Sequence, residues 1–132
     1  MKKASAIQKE LAIAGVPKRV RNSGEVQALS NILEPDETVL GCMQGLYSEG
    51  LGIIVATSTR LLVVNKSFLW TRVEDESYAV VNHVKYKKGI LFGKVTLSSR
   101  GRKYVFNVLN SDPISSFTSV IDNKMRYHGQ LK

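Results

Sequence analysis

Few residues in this chain are of a type and spacing that could carry covalent chemistry. The two histidines, His83 and His128, stand far apart, and neither has a Cys, a second His or a carboxylate at metal-ligand spacing. The lone Cys42 sits in an apolar run, where a thiol serves as a small buried side chain rather than as a nucleophile. No serine occupies a nucleophile-elbow pattern. The trio Glu74-Asp75-Glu76 could attract a divalent cation, but three adjacent acids are expected in an exposed loop between strands. Two glycine patterns imitate nucleotide-binding loops. "GLGIIV" has two glycines of a dinucleotide fingerprint, yet Val55 stands where the third belongs and the β-branched run after it opens no helix. "GILFGK" has three residues between its glycines where a phosphate loop needs four, and Val95 where that loop needs Ser or Thr. Glycines turning a hairpin account for it. The residues predict no catalytic centre, no metal site and no cofactor.

Charge is the stronger signal. Nineteen basic against 11 acidic residues give a net charge of +8, and from Ser77 to Ser111 there are seven Lys and Arg and no acid. Such a block keeps a chain soluble and attracts polyanions. Strand alternation sets His83, Lys85 and Lys87 opposite Val84 and Tyr86, Lys94 opposite Val95 and Leu97, and Lys103 opposite Tyr104 and Phe106. In a three-stranded meander these outward sides merge into one face bearing Lys85, Lys87, Lys94 and Lys103, with Arg100 and Arg102 crowning one edge. Those six residues form a candidate anionic-ligand face, although lysines also guard sheet edges against unwanted pairing. Tyr86, Tyr104 and Phe106 point to the expected core side, so nothing is offered for base stacking, and lipid headgroups are favoured over nucleic acid.

The elements that must position this face are predicted as follows. A first helix begins near Ser5, carries Ile7, Leu11 and Ala14 on one stripe, and stops at Gly15 and Pro17. A second is expected to open at Asn22, with Glu25 at capping-box spacing and Val26, Leu29 and Leu33 on one face. From Thr38 the pattern becomes strand-like, in "TVLGCMQGLY", "LGIIVAT", "RLLVVNK", "FLWTRV", "NHVKYKK", "FGKVTLSS" and "KYVFNVL". About seven strands with turns every eight to twelve residues argue for an antiparallel sandwich or barrel. "TSTR" is the expected turn of a central hairpin whose strands, "LGIIVAT" and "RLLVVN", are apolar on both faces and so need a cover on each. A last helix is expected from Asp112 and Pro113, with Ile114, Phe117, Val120, Ile121 and Met125 on its stripe.

Length and composition agree with this outline. At 132 residues, 43% hydrophobic and 23% charged, the chain reads as one domain able to bury roughly two thirds of its unfolded surface. No window approaches the roughly 20 apolar residues of a membrane span, and Lys9 and Glu10 interrupt any signal-peptide core at the N-terminus. A single cysteine fits a reducing, cytoplasmic location.

"GIIVATSTRLLVVNK" followed by "VVNHVKYKKGILFGKVTLSSRGRKYVFNV" resembles the bacterial pleckstrin-homology (PH)-like domains, most closely the short YokE-like type. The resemblance rests on Thr57, Arg60, Leu61 and Leu62, on Tyr86, Lys88, Gly89, Phe92, Gly93 and Lys94, and on a lead-in of Leu33, Pro35, Glu37 and Val39. It covers Leu33 to Met125 and leaves the N-terminal helices outside. It implies an α+β fold, mainly β: a sandwich or barrel of two nearly orthogonal antiparallel sheets, one end plugged by the C-terminal helix. It also implies a binding scaffold for lipids, peptides or proteins without general catalytic function. Phosphoinositide-binding relatives carry basic residues at the first hairpin turn; here that turn, "YSEGLG", has Glu49 and neither Lys nor Arg, which argues against inositol phosphates.

The expected organisation is a helical arm over residues 1–33, a PH-like domain over 34–127 and a tail over 128–132. The expected function is a non-enzymatic interaction module that docks a protein or a second copy of itself through Val26, Leu29, Ile32 and Leu33 of the arm. The alternative is peripheral binding to an anionic surface through the basic face.

Overall fold

The computed structural model describes residues 2–47, 50–66, 70–109 and 112–130, with side chains through 126. Helix α1 (Ala4–Ile13) ends at Gly15, whose φ of +80° is open to glycine without strain. The Gly15 amide donates to Ala12 O and the Val16 amide to Leu11 O, a Schellman stop. The expected second helix is instead two short helices, α2 (Lys18–Arg21) and α3 (Gly24–Ala28), followed by one 3-10 turn at Leu29–Asn31. Its cap is Ser23, not Asn22: the Ser23 side chain accepts from the Val26 amide. A serine one residue closer to Val26 supplies the same acceptor and lets Asn22 close α2.

Seven strands follow: β1 (Val39–Tyr47), β2 (Gly50–Thr57), β3 (Leu61–Lys66), β4 (Thr71–Glu76), β5 (Val81–Lys87), β6 (Phe92–Ser99) and β7 (Arg102–Leu109). All pair antiparallel in the order β4-β3-β2-β1-β7-β6-β5. Of the strand expected at "FLWTRV", Phe68 and Leu69 lie outside the described residues, as do Ser48 and Glu49 of the first hairpin turn. Among the described residues the two halves of the sheet, β1–β4 and β5–β7, join at one register pair, Leu46 with Asn107. Gly45 makes that corner possible, since a Cβ there would lie 2.6 Å from Asn107 O and 2.8 Å from Val108 Cγ1.

The halves enclose one core: Met43, Ile54, Leu61 and Val63 from the first meet Val95, Leu97, Tyr104, Phe106 and Val108 from the second. Helix α4 (Ile114–Gln130) closes it with Ile114, Phe117 and Ile121, three residues longer than the boundary expected at 127. Gly41 accommodates this helix, because a Cβ there would sit 3.1 Å from the Phe117 ring.

Alternation explains the second core. The opposite sides of β1 to β3 present Cys42, Ile53, Val55, Leu62 and Val64, and the N-terminal segment covers them with Ile7, Leu11, Val16, Val20, Val26, Leu29 and Leu33. Polar clips hold the cover in place. Lys2 pairs with Glu10 at 2.8 Å, Glu10 also accepts from the Val39 amide at 2.9 Å, and Arg19 pairs with Asp112 at 2.9 Å. The arm is therefore part of the folded unit, and Val26, Leu29 and Leu33, 2%, 0% and 1% exposed, face its own sheet rather than a partner. Ile32 is partly buried beside them.

Because Leu29 is fully enclosed, Leu29→Ala is expected to lower global stability by about 2–5 kcal/mol in urea unfolding. A loss under about 1 kcal/mol would mean that the arm unfolds separately from the sheet.

Candidate functional site: a basic sheet face

The outer side of β5–β6–β7 carries the lysines expected there. Lys85, Lys87, Lys94 and Lys103 are all exposed, as is His83, while the alternate positions Val95, Leu97, Tyr104, Phe106 and Val108 are buried. Register sets the rows of this face. Lys87 lies directly opposite Lys94, which lies opposite Asn107; Lys85 lies opposite Thr96; Lys103 and His83 flank Ser98. Like charges facing each other across a ladder destabilise it. None of these lysines joins an ion pair among the described residues.

The two arginines do not complete that face as a set. Arg100 sits in the two-residue β6–β7 turn at φ 53°, followed by Gly101 at φ 80°, the left-handed pair that matches strand twist in a tight hairpin. Arg102 has the parity of Tyr104, and the nearness of the Tyr104 side chain, with Glu74 beyond it, raises the guanidinium pKa further. Four lysines thus share the face, Arg100 lies at its end, and Arg102 turns to the other side. The sequence marks Gly89 to Lys94 as a hairpin turn but gives Ile90 and Leu91 no role, and the structure leaves them 96% and 71% exposed there. The available signal was two large aliphatics at a turn that ordinarily takes Gly, Asn, Asp or Ser.

The acidic trio is not in a loop. It forms the end of β4, and alternation sends its side chains to opposite sides, so the three cannot converge on one cation. Asp75 points out and accepts from Arg60 Nη1 at 2.7 Å. Glu76, 4% exposed, accepts from Ser99 Oγ at 2.8 Å. Glu74 stands by Tyr104, whose hydroxyl is pushed up to about 12 by burial and by that carboxylate. Among the described residues no group of three or more His, Cys, Asp or Glu could hold a metal ion. Cys42 is enclosed, and burial, with Glu25 adding to it, pushes its thiol up to about 12. The His128 side chain lies outside the described residues. No helix among the described residues is long and apolar enough to cross a membrane.

Residues 33–123 match the family model described as "Bacterial PH domain". The chain belongs to the bacterial PH domain family. A solved structure of the same shape is that of a DUF1696 family protein with a pleckstrin-homology domain from Shewanella loihica PV-4. It is 17% identical, with a TM-score of 0.54, over 76% of this chain and 92% of that one. No curated protein matches the sequence. PH-like domains generally mediate protein or lipid interactions, and the family is generally non-catalytic.

The lead-in and β2–β3 turn motifs behind the resemblance are architectural in this PH domain. Glu37 of the lead-in and Thr57 and Arg60 of the β2–β3 turn, distant in sequence, meet at one point. Arg60 grips Glu37 with Nε at 2.8 Å and Nη2 at 3.0 Å, and its Nη2 also donates to Ile32 O. Thr57 Oγ1 donates to Glu37 at 2.6 Å, Thr59 Oγ1 donates at 3.1 Å, and the Glu34 amide adds a further bond. From the opposite side Tyr78 donates to Thr57 O at 2.6 Å, and Lys124 of α4 donates to Ser58 O at 3.0 Å. The turn therefore ties the arm, β4 and α4 together. A bidentate guanidinium can serve several acceptors at once, and Arg60 does so here.

Burial alone would raise the Glu37 carboxyl; the hydrogen bonds from Arg60, Thr57 and Glu34 and the Arg60 charge outweigh it and bring it from 4.5 to about 2. A folded value below the unfolded one means stability that is complete above about pH 4.5 and lost as the pH falls toward 2. Glu37→Gln is expected to cost about 3 kcal/mol at pH 7, with the gap to wild type narrowing below pH 4.5 in urea titrations. A gap that stayed constant down to pH 2 would count against Glu37 as the source of acid lability.

Proposed function

We propose that this PH domain is a non-catalytic binding module that associates peripherally with an anionic surface, lipid headgroups before nucleic acid, through the outer face of β5–β7. One observation carries the reading: four exposed lysines on a face whose three strands contain no acid, two of them set directly opposite each other. A sheet that needed only solubility would be better served by mixed charges. Repulsion between Lys87 and Lys94 is relieved when an anion sits between or above them.

Lipid is preferred because most aromatics of these strands are turned away. Tyr104 and Phe106 are 2% and 0% exposed and Tyr86 is half-buried, which leaves Phe92, 50% exposed at the start of β6, as a single ring where successive bases would need several to stack on. Docking of a protein or a second copy through the arm is less well supported. It would require Val26, Leu29 and Leu33 to leave Ile53, Val55, Leu62 and Val64 in water. Enzymatic activity has no support from the splayed acids, the enclosed thiol or the exposed His83.

Co-sedimentation with phosphatidylglycerol-containing vesicles is expected at low salt, weakening toward physiological salt as exposed charges are screened. Lys85→Gln with Lys94→Gln should cut binding roughly thirtyfold, taking about 1 kcal/mol per lysine near an anionic surface. No binding at low salt, or tighter binding to a single-stranded oligonucleotide than to vesicles, overturns the lipid assignment.

A further inference from the structure

The β5–β6 hairpin carries a feature that electrostatics alone does not explain. Its tip, Lys88 to Leu91, lies between the paired Lys87 and Lys94 and exposes Ile90 at 96% and Leu91 at 71%, with Phe92 at 50% beginning β6. Water penalises each of these side chains, and hairpin turns have Gly, Asn, Asp and Ser available at no such cost. The tip is also built to hold its shape. A Cβ on Gly89 would collide with Phe92 O and one on Gly93 with the Tyr86 ring, so both positions need glycine for this close approach. The apolar surface does not stop at the turn. Phe92 lines a shallow groove of about 170 Å³ together with Leu46 and Leu51, themselves 52% and 48% exposed, at the corner where the half-sheets meet.

We propose that the β5–β6 tip is a membrane-inserting wedge, seating Ile90 and Leu91 in the headgroup–acyl boundary of an anionic bilayer while Lys87, Lys88 and Lys94 lie at phosphate level. The inference rests on the anionic-surface reading above and adds to it a hydrophobic anchor and a bilayer as the ligand. A projecting aliphatic point ringed by cations matches a bilayer, whose anionic headgroups lie above a hydrocarbon layer. Lysine stems can lie along the apolar surface while their ammonium groups stay with the phosphates. A nucleic acid offers phosphate but nothing for Ile90 and Leu91 to enter. Neither partner of this arrangement suffices alone: single weak anchors bind marginally, and stable peripheral attachment takes two signals.

The test uses the full chain and vesicles of phosphatidylcholine with about one third phosphatidylglycerol. Ile90→Ser with Leu91→Ser is expected to reduce vesicle binding roughly tenfold while leaving its salt dependence intact. Both side chains are exposed, so thermal unfolding should be unchanged and a loss of binding is not a loss of fold. In a second measurement Leu91→Cys is labelled with an environment-sensitive dye; the enclosed Cys42, its thiol pushed up to about 12, stays unlabelled in the native protein. A blue shift and intensity gain on the anionic vesicles is expected. If wild type binds but the serine variant binds equally well and the dye remains in water, the wedge is overturned while the basic-face reading stands. If wild type does not bind the vesicles at any salt, both fall.

Discussion

Three adjacent strands with apolar side chains on both faces can exist in water only if each face is covered. That constraint organises the molecule. In β2 the sequence Ile53-Ile54-Val55-Ala56 sends Ile53 and Val55 one way and Ile54 and Ala56 the other, and Leu61 to Val64 in β3 do the same. One cover is the second half of the sheet with α4, the other is the N-terminal helical segment. The family match begins at residue 33, so the segment before it lies outside the shared domain but not outside its folding logic. Removing it would leave a hydrophobic sheet face in solvent, a standing invitation to aggregate.

The Glu37–Arg60 contact keeps the two covers in register. It stands where the arm ends, β1 begins, the β2–β3 hairpin turns and β4 passes, and its bonds reach backbone as well as side chains. Removal of Arg60 would leave the enclosed Glu37 carboxylate without its counter-charge, whereas Arg60 without Glu37 keeps Asp75. The motif positions Glu37, Thr57 and Arg60 therefore report on architecture.

Elsewhere in the sheet, charge and apolarity are segregated by strand parity. Of the β4 acids, Asp75 points out to Arg60 while Glu76 turns inward to Ser99 and Glu74 stands by Tyr104; the rings of β7 fill the core, and the lysines of β5–β7 are left together outside. The β5–β6 turn places aliphatics beside those lysines. The result is one side of the molecule with cations and exposed apolar side chains in proximity.

The strands, the C-terminal helix, the basic face and the two-sided burial of the central hairpin were legible from local pattern, because side-chain alternation is a property of the strand itself. The stop of α1 at Gly15 was legible for the same reason. What the sequence could not settle was where remote segments meet. Asn22 and Ser23 are both competent caps, and in the fold Ser23 takes the role while Asn22 closes α2. Three consecutive acids read as a loop until β4 pairs with β3 and Ser99 comes to Glu76. An amphipathic arm reads equally well as a partner-binding stripe or as a lid for its own sheet; tertiary structure decided for the lid because the opposite faces of Leu62 and Val64 had to be covered. The exposure of Ile90 and Leu91 is likewise a tertiary fact. Aliphatic residues in sequence are expected to find a core, and only the geometry of a tight hairpin pointing away from both cores leaves these two in water.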